Sequence, residues 1–214
     1  MRKALLIVGF LLGLSAPAWA QVPCVGVGGV NSVPQVGVTC NQEPAINTYA
    51  ATSVGLVPAS AATDIACIAG KANVVMRIQA IGVNGSGTAI SVPVLIKKNA
   101  SLDTGGTPAT STALPVAYPL DSGYSASNAT LIAYTANPTI NDTTPGIIDS
   151  GNLGLVATTV GAAVQTGVLF DYSRRSFMAA PILRTAVQQI CANLNGTSPT
   201  ALLNVTFKWT ESPQ

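Results

Sequence analysis

The run TDIACIAGKANVVMRIQAIGV, Thr63 to Val83, decides the fold class. In its second half Val74, Met76, Ile78 and Ala80 fall on one side of an extended chain. Val75, Arg77, Gln79 and Ile81 fall on the other. A period of two is the strand signal, because successive side chains of an extended chain point to opposite faces. Gly70-Lys71-Ala72-Asn73 separates two β-rich runs, and so short a break predicts a hairpin.

Working outward, the same pattern predicts strands at Asp64–Ile68, Val74–Val83, Ala89–Lys97, Thr112–Tyr118, Ala129–Tyr134, Leu153–Thr159, Val164–Asp171, Ala179–Thr185, Val187–Leu194 and Leu202–Thr210. Turn clusters fall between them, among them Gly85-Ser86-Gly87, Asp121-Ser122-Gly123 and Asn195-Gly196-Thr197. Short strands at regular spacing with polar turns mark a sandwich or barrel. No segment carries a sustained helical apolar stripe. The last strand is the clearest: Leu203, Val205, Phe207 and Trp209 share one face, and Asn204, Thr206, Lys208 and Thr210 the other. The expected fold is all-β, a single antiparallel β-sandwich (jelly-roll-like) over residues 61–214.

Residues 1–20 have the plan of a secretory signal. Arg2 and Lys3 are followed by an apolar run and by Ala18-Trp19-Ala20 as the cleavage site. Residues 21–60 read as a Gly/Pro/Val-rich N-terminal arm. Its Gly26-Val27-Gly28-Gly29 follows no long strand and opens no helix, so it is no phosphate loop. Leu153 to Phe170 carries no charge, which raises a membrane helix as an alternative. Gly161-Ala162-Ala163 breaks the run, and Thr158, Thr159, Gln165 and Thr166 make it polar, so two strands are expected and no membrane span remains after signal cleavage.

Without Arg2 and Lys3, eight basic residues balance eight acidic ones. That removes the basic surplus on which phosphate-backbone binding depends, so no nucleic-acid partner is expected. Charged residues are 8% of the chain, against about 25% in ordinary soluble domains. The surface must be covered by Thr, Ser, Asn, Gln, Gly and Ala.

Cys24, Cys40, Cys67 and Cys191 all follow the signal. Four cysteines allow three pairings and sequence alone does not choose. Locality favours Cys24–Cys40, which would staple the arm and leave Cys67–Cys191 to tie the opening strand to a late one. An oxidising compartment would permit both.

The chain has no histidine. That removes the Ser-His-Asp and Cys-His systems and most zinc sites. Asp-Thr/Ser-Gly occurs at Asp103, Asp121 and Asp149. Aspartic proteases use two such tripeptides to hold two carboxylates that share one proton. The tripeptide is also ordinary turn chemistry, and the spacings are far shorter than a two-lobed protease needs, so turns are expected. Turn aspartates could offer calcium carboxylate and carbonyl oxygens, but no DxDxDG spacing is present, so no calcium site is expected. No catalytic residue, metal or cofactor is predicted. The candidate ligand contacts are Arg174 and Arg175, which could grip an anionic sugar or phosphate, and Tyr124, one of a possible stacking set with Tyr118, Tyr134 and Tyr172.

TDIACIAG, VMRIQAIGVNG, IKKNASLDTGGTPA, PLDSGYSASNATLIAYTANPT, PILRTAVQQICANLNG and LNVTFKWTE, in that order, resemble a group of small uncharacterised proteins found among tailed-phage and prophage structural genes. The resemblance runs from about Thr63 to Glu211 and is most specific in Asp121–Thr139, Asn193–Gly196 and Trp209–Glu211. It implies a virion-associated β-sandwich without enzymatic activity. The signal and the cysteine-bearing arm depart from that pattern. The expectation is a non-enzymatic structural or surface protein, exported to the periplasm, the cell surface or the medium, or part of a virion. It would associate with itself or with other surface or virion proteins. The alternative is a secreted or cell-surface glycan-binding, adhesin-like module.

Overall fold

A computed structural model describes residues 46–88, 90–142, 145–156, 167–173 and 180–214. The compact unit that holds them runs from Ala45 to Gln214. Twelve strands are described: β1 (Asn47–Leu56), β2 (Ala62–Ala69), β3 (Val74–Gly87), β4 (Ile90–Asn99), β5 (Thr107–Pro108), β6 (Tyr118–Pro119), β7 (Thr130–Ala136), β8 (Gly146–Leu155), β9 (Gly167–Asp171), β10 (Ile182–Leu183), β11 (Gln189–Thr197) and β12 (Ala201–Pro213). They form two antiparallel sheets. Sheet A has the order β10-β3-β12-β1-β6, with β9 also on β3; sheet B has the order β5-β7-β2-β11-β4-β8. The expected all-β sandwich is therefore present, and it is jelly-roll-like in that β1 to β4 alternate between the sheets, as do β11 and β12.

That alternation corrects the opening expectation. Gly70–Asn73 does not close a hairpin. It carries the chain from β2 in sheet B to β3 in sheet A, with Asn73 in the left-handed region at φ 63°. A turn signal marks where the chain bends, and both a hairpin and a sheet crossing need one. β1 lies within the residues assigned to the arm, so the sandwich begins earlier than residue 61.

β12 is central in sheet A, and its inward line is the one predicted: Leu203, Val205, Phe207 and Trp209 are fully buried. Burying each such side chain stabilises by roughly 1.5–3 kcal/mol. Ile65, Ile68 and Ile96 from sheet B meet Met76, Ile78 and Phe207 from sheet A in one core.

The strict alternation predicted for β3 does not hold. Trp209 pairs with Ile78 but Lys208 with Ala80, so Gln79 is an extra residue on β3. A bulge of this kind advances the phase by one. Met76 and Ile78 point inward before it, and Ile81 and Val83 after it. Ile81, placed outside by period alone, is core.

Three further expectations are revised. Thr112–Tyr118 is not a strand: a 3-10 turn occupies Ser111–Ala113, and β6 keeps only Tyr118–Pro119. Gly85–Gly87 continues β3 and is no turn. Asp149-Ser150-Gly151 lies inside β8, also not a turn. Gly151 is there because a Cβ would meet Val168 Cγ1 at 2.7 Å, where β8 approaches β9. No helix among the described residues is long and apolar enough to cross a membrane. The predicted signal, Cys24 and Cys40 lie outside the described residues.

Candidate functional site

The polar chemistry lies on the outer face of sheet B, not in a cleft. In β2 and β11, Ala66, Ile68, Ile190 and Ala192 face the main core, so Cys67 and Cys191 face outward. These two residues are directly opposite each other and joined by a disulfide, with a Cα–Cα distance of 4.1 Å. Both are wholly buried despite facing outward. With Tyr134 and Ile132 they form a second apolar cluster, separate from the main core.

Asp64 reaches this face through a bulge. Cys191 pairs with Cys67 and Ala192 with Ala66, but Asn193 pairs with Asp64, so Ile65 is extra. Three residues from Cys67, Asp64 would otherwise point inward. Instead it lies beside Cys67, 1% exposed, with Oδ1 accepting from Asn193 Nδ2 at 2.5 Å. Gln189 and Asn99, opposite each other on β11 and β4, are also buried.

Asp103 comes down onto the cluster from above. The segment that carries it, residues 100–106, is pinned to residues 138–142. Thr104 and Thr139 exchange backbone hydrogen bonds of 3.0 and 2.7 Å. Asn141 Nδ2 donates to the Leu102 carbonyl at 2.7 Å, and Asp142 Oδ2 accepts from the Ala100 amide at 2.6 Å. We call this pair of segments the flap. The Asp103 Oδ2 atom lies 3.8 Å from Cys67 Sγ. A disulfide sulfur has no proton to donate, so this is a packing contact.

The result is two carboxyl groups in one enclosed place. One oxygen of Asp64, one of Asp103 and the two sulfurs lie within 4.8 Å of one another. Asp64 Oδ2 and Asp103 Oδ1 are buried, and among the described residues no donor reaches either except a proton carried by the facing carboxyl. Burial, then the Asp64 charge and a hydrogen bond between the carboxyls, pushes Asp103 up to about 7, against the lowering effect of Gln189 and Asn99. Those two amides face Asp103 but lie outside close hydrogen-bonding geometry, since Gln189 Nε2 and both Asn99 amide atoms have no close partner. Burial, then the charges of Asp103 and Asp64, pushes Tyr134 up to about 12, so it stays neutral beside them. Two carboxyls this close cannot both ionise cheaply, so Asp103 holds its proton beside Asp64 to unusually high pH.

The donor set does not fit a metal. The sulfurs are bonded to each other and are not thiolates. Two carboxylates and an amide fall short of the six to eight oxygens calcium takes. The arrangement can hold a proton and a flap.

A second buried carboxylate lies at the end of β12. Glu211 accepts from Trp209 Nε1 at 2.9 Å, Ser127 Oγ at 2.5 Å, the Asn128 amide at 3.0 and 3.1 Å, and Asn128 Nδ2 at 3.0 Å. Burial alone would raise it, but these donors outweigh that effect and hold it below the ordinary carboxylate range. Tyr49 stacks on Trp209 at 5.8 Å and donates to the Ser125 carbonyl at 2.9 Å. The 121–129 loop is thereby clamped to sheet A.

Of the predicted contacts, Arg174 and Arg175 lie outside the described residues. Tyr124 is half-buried in the clamped loop, its amide bonded to the Asp121 carbonyl. The tyrosines do not form a platform: Tyr134 and Tyr172 are buried and Tyr118 is exposed. Asp121 closes its own exposed turn through Gly123, as expected of turn chemistry, and does not join Asp103. Asp64, Asn99, Gln189 and Glu211 were not singled out from sequence. Glu211 could have been, because it continues the inward line of β12 by one step.

No family model, curated protein or solved structure matches the chain.

Proposed function

We propose that this chain is an exported, non-enzymatic structural protein, a phage-like particle component or its cell-surface relative, that associates with itself through the outer face of sheet A. The observation that supports this is the chemistry of that face. Thr52 and Thr206 pair their hydroxyls at 3.0 Å, and Asn204 bridges Asn84 Oδ1 and the Gly55 amide at 2.9 Å each. Its polar groups are thus largely paired, its bulk is small, and its charges are Lys208, Arg77 and Asp171. Leu169, Leu202 and Val54 stand exposed around it, at 68%, 54% and 48%. Interface cores are depleted in charge, and exposed apolar groups at a rim favour covering the face. The disulfide is compatible with export.

Light scattering of the protein from Gln21 onward tests this reading. A defined oligomer that Thr206→Lys with Leu169→Lys dissociates supports it; a monomer at every concentration refutes it.

A second reading, glycan binding, is favoured by a groove of about 460 Å³ beside β1, where Ala50, Thr52, Val54, Leu114 and Val116 end at Tyr118, 66% exposed. A glycan array on the monomer separates the two readings, since a Tyr118-dependent signal belongs only to the second.

A further inference from the structure

We propose that the flap is a pH-operated latch over the Cys67–Cys191 disulfide: closed while Asp64 and Asp103 share a proton, and released when both are ionised. The geometry is specific. Asp103 comes from the flap and Asp64 from the sheet, so any force between their carboxyls acts on the contact between flap and sheet. The disulfide beneath has no exposure of its own. It is shielded where Asp103 packs on Cys67.

The surrounding groups do not relieve the repulsion. β7 presents Tyr134, which is neutral. β11 presents Gln189 and Asn193, both amides. β4 presents Asn99 and, opposite Cys191, Lys97, which is half-buried and does not contribute to the Asp103 shift. The flap itself adds Asp142, held at the Ala100 amide. Loss of the shared proton to solvent therefore leaves two adjacent anions: Asn193 holds Asp64 Oδ1, but Asp103 has only the loosely placed Gln189 and Asn99 amides beside it. The flap is the part that can yield, because residues 100–106 and 138–142 are bonded to each other and can lift as a unit, whereas Asp64 is fixed in β2. Asp103, raised to about 7, places the transition near neutrality, a range the protein meets if it is exported as proposed. This latch is independent of whether the outer face of sheet A associates or binds a glycan.

The test is the rate at which a phosphine reductant opens Cys67–Cys191 in the whole protein from Gln21 onward, followed by mass spectrometry of the labelled cysteines. Rates are divided by those of the urea-unfolded chain at the same pH. Between about pH 5 and about pH 8.5 the corrected rate should rise roughly tenfold or more, since each pH unit past the transition favours release by up to tenfold. Asp103→Asn, which stays neutral, should hold the slow rate at both values. Hydrogen exchange gives a reading that needs no variant: the Thr104 and Thr139 amides should lose protection at the higher pH while the β12 amides keep theirs. An unchanged wild-type rate, an Asp103→Asn protein with the wild-type pH dependence, or equal protection of the flap at both pH values would each overturn the latch.

Discussion

Asp64 and Asp103 bring carboxyl oxygens to within 4.8 Å of each other, one from the floor of sheet B and one from the flap above it. That contact makes the closure of a surface segment depend on a proton. It also sets how stability should vary with acidity.

Asp103 is raised in the fold, so its contribution is fully present below the unfolded carboxyl value near 4 and is lost as pH rises through about 7. Glu211 is lowered, so its contribution is present above the ordinary carboxyl value and is lost as pH falls through its depressed one. The two slopes oppose each other, and stability should peak on the acidic side of neutrality. The unfolding free energy from urea titrations should fall by about 1–2 kcal/mol between about pH 4.5 and 8, after allowance for solvent screening of the partly exposed Asp103 side chain. Asp103→Asn should flatten that fall.

Glu211→Gln keeps the shape and loses the charge that Trp209, Ser127 and Asn128 solvate. Hydrogen bonds to a charged group contribute roughly 1.5–3 kcal/mol. The variant should lose about that much at pH 7 and become open to chymotrypsin after Tyr124, as the 121–129 loop loosens. An unchanged midpoint with an uncut loop would mean that the clamp is held by Tyr49 alone.

Gly151→Ala should cost about 1–3 kcal/mol, because its Cβ needs space that Val168 Cγ1 fills at 2.7 Å. Ile147→Ala, on the same strand but 58% exposed, should be close to neutral. Equal effects in thermal melts would contradict the close approach of β8 to β9.

Cys67→Ser with Cys191→Ser should lower stability by about 2–5 kcal/mol, the usual loss for a native disulfide. A double variant that melts with the wild type would remove the bond from the account of stability.

The two-sheet fold was legible where the alternation is unbroken. β12 shows Leu203, Val205, Phe207 and Trp209 at one phase, and the structure keeps all four inside. Cys67–Cys191 followed from chain locality and was found. What failed is what alternation cannot encode. Gln79 on β3 and Ile65 on β2 are bulges, set by the partner strand, and each shifts every later side chain by one phase. The bulge at Ile65 is what turns Asp64 toward Asp103. Asp103-Thr104-Gly105 carries the residues of an ordinary turn, and no local feature announces that its carboxylate is buried against a strand. The crossing at Gly70–Asn73 was invisible for the same reason: sheet membership is decided by β11 and β12, more than a hundred residues downstream.

The central claim is that Asp64 and Asp103 hold one proton between them. Carbon-detected NMR of the aspartate carboxyls, titrated across neutrality and assigned with Asp103→Asn, tests it most directly. The account predicts a carboxyl signal that moves with a midpoint near 7 and disappears in the variant. A protein whose aspartates all finish titrating below about pH 5, as unperturbed carboxyls do, would contradict it.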